Sequence, residues 1–243
     1  MSGIRLNKYI ASSGLCSRRK ADELIEQGSV NVNGKIVKEL GYLVQPKDKV
    51  FLNQKLIRPA KHEYYRFYKP AGYITTADDE KGRKTIYDLL PENLLGLKPV
   101  GRLDKDSTGL LILTNDGDLI NELTHPSVKV PKIYLVSVDS RVHKHELEQM
   151  ANGIEIEPDK TAYADIQVIE MDNKHTVMRI TLYQGLNRQI RKMFEHFGYE
   201  VKTLKRIQHA TLTLDGLKRG EFKPIKPIQI RELKNFLNRI SKQ

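Results

Sequence analysis

Two carboxylates in a glycine-bounded loop are the first residues of this chain that suggest chemistry. Gly101-Arg102-Leu103-Asp104-Lys105-Asp106-Ser107-Thr108-Gly109 leads directly into the apolar run Leu110-Leu111-Ile112-Leu113. A buried strand is a stiff mount, so a loop at its start can hold a carboxylate in a fixed place as nucleophile, base or metal ligand. As a calcium loop, Asp104, Asp106, Thr108 and Gly109 fit positions one, three, five and six. Position twelve, however, is Asn115 where a bidentate Glu is needed, and position nine is apolar Ile112. As the Asp-x-Asp-x-Thr string of a magnesium-dependent phosphatase, Asp104, Asp106 and Thr108 fit. Such a nucleophile should follow a buried parallel strand, and Lys98-Pro99-Val100-Gly101-Arg102 makes a poor one. The bland alternative is a polar turn whose acids face water. A glycosidase needs two carboxyl groups facing one another across the scissile bond, which two acids of one short loop do not supply. Asp106 therefore reads as a loop organiser rather than a second acid.

The remaining chemistry-bearing residues are less specific. The seven histidines show no metal spacing. His62, His143 and His145 read as solvated, and His125, before a proline, as closing a turn. Cys16 is the single cysteine; it cannot form an internal disulfide, fits a reducing compartment and reads as a small apolar residue. The formal net charge is +11, unevenly spread. Residues 1–60 hold eleven Lys and Arg against five Asp and Glu, and residues 185–243 hold fourteen against five, so both ends are basic around a mildly acidic centre. Basic clusters gain affinity for polyphosphates by releasing condensed counterions; solvated lysine faces kept for solubility are the duller alternative. No stretch approaches the roughly 20 apolar residues of a spanning helix. The amino terminus lacks the apolar run of a signal peptide, so a cytoplasmic protein is expected.

The elements that must position these groups follow from periodicity. Leu6, Tyr9 and Ile10 fall at helical spacing before Gly14. Ser17 can cap a second helix whose inner face is Ala21, Leu24 and Ile25. Val30 and Val32 alternate into Asn33-Gly34, a two-residue hairpin signal, and Ile36-Val37 continues on a return strand. Residues 54–63 read as a polar linker with Pro59. From Tyr64 onward the pattern is α+β and mostly antiparallel. Strands are expected at 65–68, 110–114, 134–138 and 176–182, and helical spacing at 119–123, 143–150, 188–197 and 231–240. This sets a small domain over residues 1–60 beside a larger one over 61–243, built on a mixed, mostly antiparallel sheet flanked by helices. Ser17 and the free N–H groups of its helix start can hold a phosphate. Arg18, Arg19 and Lys20 crowd that same end, where the helix dipole alone disfavours cations, so a bound phosphate would explain them.

Two resemblances sharpen this. Arg5-Leu6-Asn7-Lys8-Tyr9-Ile10, Ser17-Arg18-Arg19-Lys20-Ala21 and Gly28-Ser29-Val30-Asn31-Val32-Asn33-Gly34 resemble the S4 RNA-binding domain over about residues 4–52. The likeness implies RNA contacts from Arg5, Lys8, Ser17, Arg18, Arg19 and Lys20. In the rest of the chain, Gly-Arg-Leu-Asp at 101–104 followed by Asp106-Ser107 and Gly109-Leu110-Leu111 resembles the central motif of the pseudouridine synthases that modify ribosomal RNA. Lys69-Pro70-Ala71-Gly72, Lys132-Ile133-Tyr134 and Gly185-Leu186-Asn187-Arg188-Gln189-Ile190-Arg191 resemble their other motifs in order. The run from Gly185 to Val201 is most similar to the F-type large-subunit enzymes of that S4-containing group, although many relatives carry Glu where Gln184 stands.

The second resemblance implies isomerisation of uridine to pseudouridine in a structured RNA, most readily 23S ribosomal RNA, by a monomer without a cofactor. Small-subunit RNA and tRNA are alternative substrates, and a catalytically silent ribosome-binding factor is the alternative from another class. Position by position, it implies Asp104 as the catalytic carboxylate, Arg191 as its ion-pair partner and Tyr134 as the ring stacked on the uracil. Ile190 would touch the base, Arg102 would fill the space the flipped base vacates, and Lys69, Lys132 and Arg188 would contact phosphate or support the site.

Overall fold

A computed structural model describes residues 3–77 and 79–242, and the chain divides into two compact units, Met1–Glu63 with Asn115–Gly117 and Tyr64–Thr114 with Asp118–Gln243. In the first unit, helix α1 (Leu6–Ser12) and helix α2 (Arg18–Glu26) pack Leu6, Ile10, Ala21 and Ile25 onto the inward residues of a small sheet. Ser17 caps α2, its hydroxyl accepting a bond from the Lys20 N–H at 3.2 Å. Asn33 and Gly34 both take positive φ, 54° and 88°, and the tight hairpin returns as the spacing demands.

The linker expected over residues 54–63 is corrected in part. Lys55–Ile57 forms a strand antiparallel to Val50–Leu52. Asn53 and Gln54 both adopt left-handed φ, 47° and 67°, which closes a second two-residue hairpin, and burial of Ile57 holds it.

The main sheet of the second unit has nine strands among the described residues. Seven are needed here: β1 (Tyr64–Lys69), β2 (Thr108–Thr114), β3 (Lys132–Val138), β4 (Asp165–Met171), β5 (Thr176–Leu182), β6 (Val201–His209) and β7 (Phe222–Pro224). Their spatial order is β4-β5-β3-β6-β2-β1-β7, antiparallel throughout except for the parallel pair β6/β2. Strand β2 is central and apolar on both sides, because each side meets its own core. Leu111 and Leu113 join Phe67, Tyr134, Val136 and the helix α3 (Gln189–Glu195) residues Ile190, Met193 and Phe194. Leu110 and Ile112 face the opposite way, against Leu233 and Leu237 of the terminal helix (Pro227–Ile240). The site-bearing loop thus begins at the best-buried strand of the sheet.

Candidate active site

The Asp104 loop is fastened from below by a buried cation. Lys69, the last residue of β1 and fully buried, donates from Nζ to the carbonyls of Pro70 (3.0 Å), Asp104 (3.0 Å), Lys105 (3.4 Å) and Ser107 (2.9 Å). The buried Thr75 hydroxyl donates to the Leu103 carbonyl at 2.8 Å and accepts from the Leu103 N–H at 3.2 Å. The Gly72 N–H donates to the Lys105 carbonyl at 2.8 Å. The carbonyls of Leu103, Asp104, Lys105 and Ser107 are thereby held by groups that do not engage the Asp104 carboxylate, as a preorganised site requires. Lys69 is corrected from an RNA contact: its ammonium is spent on four carbonyls and reaches no solvent.

Asp104 lines a cavity of about 540 Å³, within the usual range for a small-ligand site. Tyr134 of β3 and Ile190 of α3 form part of its wall, with Arg102, Lys132 and Arg188 also lining it. Asp106 does not line it. Arg188 is the N-cap of α3 rather than a residue within that helix, and holds a left-handed φ of 50° with an exposed side chain.

Arg191 departs from expectation. Its Nη1 donates to the Val201 carbonyl at 2.8 Å, its Nε is buried without a partner, and among the described residues it forms no ion pair with Asp104. One residue along α3 turns a side chain by about 100°, so Ile190 on the cavity carries Arg191 away from it, toward the start of β6. The cation whose charge is felt with that of Asp104 is Lys69.

Three contributors were not visible as site residues. Gln189 is buried and donates from Nε2 to the Tyr163 carbonyl (3.0 Å) and to Gln184 Oε1 (3.1 Å). Gln184 in turn donates to the Thr161 carbonyl at 3.1 Å and accepts from the Tyr163 N–H at 3.0 Å. The amide uses both its donor and its acceptor, which a glutamate at 184 could not do, so the departure noted at this position is accommodated. Arg206 and His209 of β6 are buried and line the cavity floor. Among the described residues no three His, Cys, Asp or Glu are grouped to hold a metal ion. No described helix is long and apolar enough to cross a membrane.

Burial lowers the Lys69 pKa to about 8, against the opposing pull of Asp104 and Asp106. Burial and then Arg206 bring Lys132 to about 8 as well. Turnover at saturating RNA is predicted to fall as pH rises through about 8, because the ammonium that fastens the Asp104 loop loses its proton. A rate that stays level to about pH 10 would contradict this role. Stability moves the other way. The unfolded lysine keeps its proton to about 10.5, so between about 8 and 10.5 the unfolded chain binds more protons than the folded one. The Lys69 contribution to stability therefore rises with pH across that window.

The family described as RNA pseudouridylate synthase matches residues 63–196, and the S4 domain matches residues 4–50. The chain is 41% identical over 232 residues to the ribosomal large subunit pseudouridine synthase B of Bacillus subtilis (strain 168), covering 95% of each. It is 40% identical over 245 residues to the dual-specificity RNA pseudouridine synthase RluF of Escherichia coli (strain K12), covering 100% of this chain and 82% of that relative. A crystal structure of a pseudouridylate synthase superposes with a TM-score of 0.69 at 29% identity, covering 95% of this chain and 99% of that one.

Proposed function

The chain belongs to the RNA pseudouridylate synthase family, and from that premise we propose that it converts selected uridines of large-subunit ribosomal RNA to pseudouridine with Asp104 as its catalytic carboxylate. The observation that carries the proposal is the placement of Asp104, on a loop fastened by Lys69 and Thr75, at a nucleotide-sized cavity whose wall includes Tyr134 and Ile190. The bond from ribose C1′ to uracil N1 breaks, the ring turns within the cavity, and C1′ rejoins at C5. The C5 hydrogen leaves as a proton and N1 takes one up, so the reaction consumes no redox agent. Asp104 acts at the sugar and base, Tyr134 stacks on the ring with its hydroxyl near the C5 proton, and Ile190 supplies an apolar contact.

Residues 1–60 serve as the RNA-anchoring domain and 61–243 as the catalytic domain. Ser17, Arg18 and Arg19 bind phosphate at the start of α2 with Arg5 and Lys8, while Lys20 divides its charge with Glu23 at 2.7 Å. Exposed Arg102 and Arg188 at the cavity contact the backbone of the flipped nucleotide and the gap it leaves. The enzyme is proposed to act as a monomer in the cytoplasm, the compartment of the ribosomal RNA for which its relative is named. Nucleotide-resolution pseudouridine maps of RNA from cells with and without the gene test the substrate. Sites lost in large-subunit ribosomal RNA are expected; losses confined to tRNA or small-subunit RNA would overturn the assignment.

A further inference from the structure

We infer that Arg206, with Lys132 beside it, forms a cationic floor to the cavity that takes up the negative charge the uracil ring acquires when its bond to ribose breaks. The inference rests on the proposed isomerase activity and adds catalytic residues to it.

Arg206 lies directly opposite Tyr134 across the antiparallel pair β6/β3, and Lys132 lies opposite His209. Directly opposed residues share a face of the sheet with Cβ atoms about 5 Å apart, so a base stacked on Tyr134 has its edge beside the guanidinium. Arg206 is only 2% exposed. Its Nε donates to the Leu110 carbonyl at 2.7 Å, which fixes the plane of the group, while its buried Nη2 has no partner. Lys132 donates to the Val130 carbonyl at 3.2 Å. Among the described residues neither cation has an acid within ion-pair distance, and Asp104 is the one carboxylate lining the cavity, against Arg102, Lys132, Arg188 and Arg206. His209 adds no charge, being held neutral by burial and by Arg206 and Lys132.

A buried guanidinium with an unused donor and no counter-ion is costly to maintain unless an anion arrives. The reaction supplies one. When C1′–N1 breaks, the electron pair goes to the ring and spreads over N1, O2 and O4. When C5 bonds to C1′ and loses its proton, and N1 regains one, the ring is neutral again. The attraction of a preorganised cation beside the ring is therefore stronger in the cleaved state than with bound substrate, which is what accelerates a step. A backbone phosphate is the competing anion, but the exposed cations Arg102 and Arg188 serve that need, and Arg206 sits beside the tyrosine on the neighbouring strand.

The test compares wild type with Arg206→Gln and Arg206→Lys on a large-subunit ribosomal RNA transcript, measuring the single-turnover rate at saturating enzyme, RNA Kd, and the salt dependence of Kd. Arg206→Gln should lose about 10²-fold or more in rate, with Kd within about twofold and an unchanged salt slope; Arg206→Lys should recover at least about tenfold of that loss. A rate for Arg206→Gln within about threefold of wild type overturns the inference. So does a weakened Kd whose salt slope is shallower by about one, which would make Arg206 a phosphate contact. If Arg206→Gln does not fold, Lys132→Gln carries the test and should slow turnover about tenfold or more; an unchanged rate overturns the inference. Wild type is measured first: no pseudouridine from it removes the functional proposal itself, whereas active wild type with an unimpaired variant removes only this inference.

Discussion

Replacing Asp104 with Asn is expected to lower pseudouridine formation by roughly 10³-fold or more, the scale of losing a group that acts directly on the reacting bond, while RNA affinity stays close to wild type. Asn keeps the size of the side chain and removes the charge. The loop should hold, because Lys69 and Thr75 bind the backbone of Leu103 and Asp104 and not the carboxylate. Affinity should hold because it comes mainly from phosphate contacts spread over the basic ends of the chain. Asp106→Asn is the internal control: Asp106 is exposed and outside the cavity, so substantial activity should remain. Single-turnover assays and thermal melts on the three proteins check this. Near wild-type activity in Asp104→Asn, or its abolition in a folded Asp106→Asn, would show that the wrong acid has been assigned.

Gly109→Ala should be the most damaging small substitution in the catalytic unit. Gly109 sits where β2 meets β6 in parallel register, opposite Arg206, with a φ of 111° that L side chains rarely adopt. A Cβ there would lie 2.2 Å from the Arg206 carbonyl oxygen and 2.6 Å from its backbone nitrogen. Neither atom can yield without moving β6, the strand that carries the cavity floor. Backbone strain and overpacking together should cost about 3 kcal/mol or more, a fall of roughly 6–12 °C in Tm for a unit of this size. Gly72→Ala separates the two causes. Its φ is also positive, at 92°, but a Cβ there meets nothing within 4 Å, so only strain should be felt, costing about 1 kcal/mol. Equal losses in the two variants, read by calorimetry, would refute the contact argument.

Much of this arrangement was legible in the sequence where local pattern and tertiary environment agree. The run Leu110 to Leu113 is read as a buried strand because each alternate residue meets a core. Asn33-Gly34 gives its hairpin because both residues tolerate positive φ. Asn53-Gln54 hid a second hairpin, since glutamine carries no turn signal and the strand after it depends on Ile57 finding the small core. The site was misread wherever long-range packing decides the fate of a charge. Lys69 reads as either a phosphate contact or a structural support until four carbonyls from two segments converge on it. Arg206, in Lys205-Arg206-Ile207-Gln208, reads as one more basic residue of a basic terminus; only the register of β6 against β3 sets it beside Tyr134. Arg191 was placed against Asp104 by resemblance, and the helical step from Ile190 takes it to the Val201 carbonyl instead.

The most direct test of the central claim is nucleotide-resolution mapping of pseudouridine in unmodified large-subunit ribosomal RNA incubated with the purified full-length chain. One or a few uridines should be converted by wild type and none by Asp104→Asn. RNA left unmodified by a folded wild type that binds it, or RNA modified equally by both proteins, would contradict the account.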